Sequence, residues 1–189
     1  MNDEELGGIG RTMAGALRHF PENFDLEMDE QGWVDLREFV RAIQKQKRKF
    51  QWLRPHHIIA IIETDPKGRY QISNESIRAT YGHTLDLDLG LPTDDIPEEL
   101  YYPTTPEEAD IILETGLKPS DRKMVHLSKT YRDAESAGQV RTENPVILAI
   151  DCERAIGDGH TIQRAGKTVF LIREVPPQYL SRVDQEEML

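Results

Sequence analysis

The sequence predicts an α+β protein in two lobes, and three observations point to it. Apolar residues recur at helical spacing through the N-terminal part of the chain. Two short alternating segments then flank Asn74-Glu75 as the arms of a hairpin would. Beyond Pro103, short apolar runs of strand length alternate with helical patterns, which is the texture of a small sheet covered by helices.

In the first lobe, Ile9, Met13, Ala16, Leu17 and Phe20 form one buried stripe, so a helix is expected from Ile9 to His19, with Arg18 and His19 at its end. Asp35 reads as an N-cap with Glu38 completing a capping box and Val34 stapling onto Phe39; the helix it starts should run from Leu36 to about Lys47. RPHHIIAIIET reads either as a third helix with Pro55 in its first turn or as a buried strand. Asp65-Pro66-Lys67-Gly68 marks a turn before RYQIS and SIRAT. Three helices and a hairpin make a winged-helix-like lobe. Leu85 to Pro103, rich in Asp, Pro and Leu with weak periodicity, reads as the connection, and the division is set at residues 1–95 and 96–189.

In the second lobe, Thr105 should cap a helix with Pro106 at its first position, Glu108 at the capping-box position and Gly116 just beyond its end. Strand candidates follow at MVHLS, NPVILAI, HTIQR and KTVFLIRE, with another helix near Thr130 to Gln139, giving a small mixed sheet. In VHLS the alternation puts His126 and Ser128 on one face and Val125 and Leu127 on the other.

Composition restricts the function. A formal net charge of −11 over 189 residues excludes a protein that coats nucleic acid non-specifically, because that mode needs wide neutralisation of phosphates. One segment departs from this balance. Phe39 to Ile62 holds no acidic residue but contains Arg41, Lys45, Lys47, Arg48, Lys49 and Arg54, which reads either as a solvated helix end or as a landing site for an RNA backbone. Cys152 is the single cysteine, so no internal disulfide is expected, and Met1 leads into NDEEL rather than a basic, apolar signal. No apolar run approaches the ~20 residues of a membrane span. The expectation is a soluble, cytoplasmic monomer without membrane contact. The 6 histidines lack metal-ligand spacing, and no metal is expected.

Four strings carry a resemblance: LRHFP (17–21), IRATYGH (77–83), DRKMVHLS (121–128) and VPPQYL (175–180), together with DEQGWVDL (29–36). In this order they resemble the RNA 2′-phosphotransferase family, over the chain from about Ile9 to Leu180. The resemblance implies a winged-helix-like RNA-binding lobe followed by an ADP-ribosyltransferase-like, NAD-binding lobe. It implies an NAD-dependent reaction on RNA with an internal 2′-phosphate, of the tRNA splice-junction type. By position the essential group falls on Arg18, His19, Arg78 and Arg122. His126 is placed beside the NAD ribose, with Ser128, Thr104 and Thr105 as further NAD contacts, and Lys45, Lys47, Arg48, Lys49 and His83 toward RNA. Members usually carry His-Gly-Thr where this chain has Pro103-Thr104-Thr105, and Asn where it has Thr80.

These residue types suit the chemistry. An arginine fork donates two parallel hydrogen bonds to phosphate, and histidine exchanges a proton near neutral pH. Read from the residues alone, the Arg-His pair is equally a terminus that complements the helix dipole, Arg78 an outward hairpin residue, Arg122 a loop cation and His126 a structural strand residue. Two other functions stay open: an ADP-ribosyltransferase acting on nucleic-acid phosphates, and a non-enzymatic winged-helix nucleic-acid-binding protein.

Overall fold

The computed structural model of the chain describes residues 1–184. The chain divides into two units, one ending at Gly90 and the other beginning at Leu91. The expected boundary after residue 95 falls earlier because Pro92 and Asp94 are tied into the second unit: Arg164 donates its backbone N–H to the Pro92 carbonyl and its Nε to that of Asp94.

Helix α1 spans Asp3–Ala14 and starts earlier than the apolar stripe suggested. Asn2 Oδ1 accepts from the Glu5 N–H at 2.8 Å while Glu5 Oε2 accepts from the Asn2 N–H at 3.0 Å, a capping box placed ahead of the first buried residue. The helix does not end at Ala14. Gly15–His19 continues it as one wider turn, closed by Phe20 N–H donating to Gly15 O, five residues back, at 2.8 Å.

A two-residue strand β1 (Val34–Asp35) leads into α2 (Leu36–Gln46), where Asp35 Oδ1 accepts from the Glu38 N–H at 2.9 Å as the sequence suggested. RPHHIIAIIET resolves to a helix, α3 (Pro55–Glu63), with only Ile58 buried. The hairpin forms from β2 (Tyr70–Ser73) and β3 (Ser76–Ala79), joined at Asn74 and Glu75, which both adopt positive φ as a tight two-residue turn requires. The sheet order is β1-β3-β2, both pairings antiparallel. Ile9, Met13, Phe39, Ile43, Phe50 and Ile77 are fully or almost fully buried in the core beneath it.

The second unit holds six strands in the order β7-β8-β5-β4-β6-β9. They are β4 (Glu99–Thr104), β5 (Val125–Ser128), β6 (Val146–Asp151), β7 (Gln163–Arg164), β8 (Val169–Ile172) and β9 (Leu180–Arg182). Every pairing is antiparallel, which corrects the expected mixed sheet. The connections through α4 (Pro106–Thr115), α5 (Tyr131–Gly138) and α6 (Cys152–Gly157) are long enough to return a strand in either sense, so length alone could not decide direction.

Strand β4 was expected as part of the linker, yet it lies inside the sheet. Pro103 is tolerated there because β4 pairs with β5 only at Tyr101↔Ser128, while the full ladder runs along β6 and places Pro103 opposite Ile147. Thr105 Oγ1 accepts from the Glu108 N–H at 3.3 Å and Gly116 ends α4, as the sequence indicated. Leu100, Leu127, Ile150, Ile172 and Tyr179 meet in the second core. No helix of the described residues is long and apolar enough to cross a membrane.

Cys152 opens α6, a position that lowers a thiol pKa when exposed. Here burial dominates and pushes the thiol up to about 12. At pH 8 the thiolate fraction is then on the order of 10⁻⁴, so iodoacetamide should leave the native protein unmodified and label one thiol after denaturation, as read by intact-mass spectrometry. Rapid native labelling would show the site to be open.

Candidate active site

The wide turn at the end of α1 carries Arg18 and His19 side by side. Arg18 is enclosed by aromatic rings: its Cζ lies 5.0 Å from the Tyr81 ring centroid and 5.8 Å from that of Tyr70. Each contact of this kind contributes roughly 0.5–2 kcal/mol. Burial raises the pKa of both tyrosines, so each stays neutral and offers a ring face rather than a counter-charge.

No carboxylate answers the guanidinium. Arg18 Nε and Nη2 are buried and make no hydrogen bond among the described residues. These two nitrogens form the side-on fork of arginine, the edge that takes two oxygens of one phosphate or carboxylate. A buried cationic donor left open is costly.

Backbone geometry supports this placement. Gly82 has φ +86°, and a methyl group there would lie 2.9 Å from Arg18 Nε. Gly82→Ala should therefore displace the guanidinium, and since a misplacement of about 1 Å can cost ~10²-fold, turnover should fall by at least ~10-fold. Steady-state kinetics on a 2′-phosphorylated RNA would check this; an alanine variant with unchanged kcat/KM would detach Gly82 from the fork.

His19 Nδ1 lies 3.0 Å from Thr84 Oγ1, and Thr84 in turn bonds to Arg18 O through its backbone N–H at 3.1 Å and, more weakly, its hydroxyl at 3.5 Å. With the hydroxyl donating to that carbonyl, it can accept from Nδ1–H, which fixes the orientation of the ring.

Arg78 is more deeply committed to structure than expected. It is buried, stacks 4.4 Å from the Trp33 ring centroid, and donates from Nε to Gln71 Oε1 and from Nη1 to the carbonyls of Gln31 and Leu89. Desolvation lowers its pKa from the ordinary arginine value. Only Nη2 retains donors without a partner among the described residues. His83 is buried, whereas Lys45, Lys47, Arg48 and Lys49 are exposed.

In the second unit Arg122 is exposed in the loop before β5. His126 and Ser128 are half-buried on one face of β5, opposite Val125 and Leu127, as alternation indicated. His126 Nδ1 sits 3.1 Å from Met124 O; a carbonyl only accepts, so Nδ1 carries the proton and Nε2 is the acceptor nitrogen. Thr104 is buried and donates to Glu108 Oε2 at 3.4 Å, and the Thr105 hydroxyl oxygen caps α4.

Tyr70, Tyr81 and Thr84 were missed by sequence reasoning. Tyr81 and Gly82 lie within the IRATYGH string and Thr84 directly follows it, the only local signal available, but their contacts reach back across more than sixty positions.

Comparison with known proteins identifies the family. The family model described as RNA 2′-phosphotransferase, Tpt1 / KptA family, matches residues 4–174. The chain belongs to this family. Among relatives, a protein of Thermoplasma acidophilum named "Probable RNA 2′-phosphotransferase" is 42% identical over 189 residues, covering 100% of this chain and 80% of its own length. Relatives of the same name from Methanosarcina barkeri (40% identical; 98% of this chain, 87% of the relative) and, numbered 1, from Archaeoglobus fulgidus (39%; 95% and 82%) agree.

Proposed function

We propose that this chain is an NAD-dependent RNA 2′-phosphotransferase that removes an internal 2′-phosphate, as left at a tRNA splice junction. The observation that carries the reading is the open Nε/Nη2 fork of Arg18. The fork grips two oxygens of the RNA 2′-phosphate and turns the third toward its electrophile. That phosphate is already anionic at neutral pH, so orientation is the main requirement. NAD, as co-substrate, supplies a ribose carbon that accepts the phosphate oxygen as nicotinamide leaves.

The second step differs, because a neutral ribose hydroxyl attacks the phosphodiester and the RNA 2′-oxygen departs. Atoms balance as RNA with a free 2′-hydroxyl, ADP-ribose 1″,2″-cyclic phosphate and nicotinamide. Proton transfer at that step is assigned to His19, with Thr84 holding the ring. Arg78 adds its Nη2 donors to the transferred phosphate, and the family resemblance assigns Arg122 to the same reaction. On the NAD side, His126 and Ser128 share one face of β5 and are assigned to the ribose. Thr104 and Thr105, at the start of α4, are assigned to NAD as well; Thr105 caps the helix as an acceptor and keeps its O–H to donate. The two units correspond to the winged-helix-like and ADP-ribosyltransferase-like lobes that such a reaction uses.

The test is mass spectrometry of products after incubation with NAD and a defined 2′-phosphorylated RNA. Cyclic phosphate of ADP-ribose and RNA with a free 2′-hydroxyl at the former phosphate position are expected. Persistent ADP-ribosylated RNA would assign the chain to the one-step transferases instead, and absence of both beside an active relative would overturn the proposal.

A further inference from the structure

A second basic feature lies away from Arg18. Arg37, Arg41 and Lys45 stand four residues apart on α2 and so form one exposed stripe, with cations ~6 Å apart along the axis. Facing them are Gln51, Arg54 and Pro55, and together with Val40 and Gln44 these residues line a groove of about 790 Å³. Four of its eight lining residues are cationic and none is acidic, in a chain of net charge −11. That local inversion of charge is not explained by the fold.

The far wall is fixed in place. Gln44 Nε2 donates to Leu53 O at 2.6 Å, and Arg54 Nη1 donates to the carbonyls of Gln51 and Leu53, both at 2.8 Å. Holding Arg54 through Nη1 leaves its Nε/Nη2 fork without a partner among the described residues. Among the described residues the stripe's ion pair is Lys45 with Asp25 at 4.0 Å, both side chains more than four-fifths exposed, which neutralises little.

We infer that this groove is a track for the RNA backbone, a second contact that holds the body of the substrate by phosphates other than the one transferred. The inference rests on the RNA-directed reading above. A strand of phosphates is favoured over an acidic peptide because the groove repeats cations along a line but offers only Val40 and Pro55 as apolar lining, with no pocket for an anchoring side chain.

Two fluorescent RNAs separate the groove from the chemistry: a 2′-phosphorylated trinucleotide, and a ~20-nucleotide strand carrying the same 2′-phosphate at its centre. In the full chain, Arg37→Gln/Arg41→Gln should weaken binding of the long strand by ~10-fold or more and flatten its log Kd against log salt by about 1.4, since each single-strand phosphate contact contributes ~0.7. Turnover of the trinucleotide should not change. The charge-matched pair Arg132→Gln/Arg182→Gln, on exposed positions elsewhere, should leave the salt slope intact. Equal loss on both RNAs, an unchanged slope, or displacement of the long strand by poly-glutamate as readily as by RNA would overturn the groove assignment. If the wild type turned over neither RNA, the proposed reaction would fail, while the slope measured on the long strand without its 2′-phosphate would still decide the groove.

Discussion

Arg18→Ala is expected to lower kcat/KM on a 2′-phosphorylated RNA by ~10²–10⁴-fold while leaving the melting temperature nearly in place. In the proposed reaction the unpartnered fork makes two charge-assisted hydrogen bonds to the transferred phosphate, each contributing ~1.5–3 kcal/mol, and their joint loss of ~3–6 kcal/mol gives that range. Arg18→Lys restores a positive charge but not the parallel donors, so it should recover no more than about tenfold. Stability behaves differently. Removing the side chain sacrifices the contacts to Tyr70 and Tyr81 but also removes two buried donors that lack acceptors, and these effects nearly cancel. Kinetics paired with thermal melts check this, and a collapse of melting temperature in step with activity would make Arg18 a structural residue.

Gly116→Ala should be the most damaging small substitution for stability. Gly116 adopts φ +92° and ψ +173°, a region open essentially to glycine alone, and an added methyl would stand 2.6 Å from the carbonyl oxygen of Val175. That oxygen already accepts from the Leu117 N–H at 2.8 Å, and Val175 N–H returns the bond to Leu117 O at 2.9 Å. Backbone must move, so the strain of ~1–3 kcal/mol adds to weakened bridge bonds of ~0.5–1.5 kcal/mol each. A fall in melting temperature of ~5–15 °C follows for a chain of this size. Gly157→Ala, where nothing lies within 4 Å, is the control and should be almost neutral. Similar melting curves for the two variants would refute the argument.

What the sequence made legible follows the range of the interactions involved. The Asp35 cap, the Asn74-Glu75 hairpin turn and the Thr105–Gly116 bounds of α4 depend on residues a few positions apart, and they appear where local pattern placed them. Strand β4 was hidden because Pro103 and its acidic approach look like linker, and only the absence of a β5 partner opposite Pro103 makes the strand possible. Strand direction was hidden too, since it is settled by packing across the whole sheet. At the site, Arg18 and His19 stood out through resemblance, but their physical condition did not. That the fork lacks an acceptor, that two tyrosines and Gly82 enclose it, and that Thr84 holds His19 are all consequences of contacts between distant segments.

The broadened final turn of α1 makes this region sensitive to length as well as to identity. Each residue of an α-helix advances the bearing of the next by ~100°, so excising one residue between Gly15 and Leu17 would let the turn relax into regular helix and swing the Arg-His pair to a new azimuth. Charge would be untouched and composition almost so. Such a lesion would escape a survey made only of point replacements, yet it would silence the pair as thoroughly as deleting the arginine.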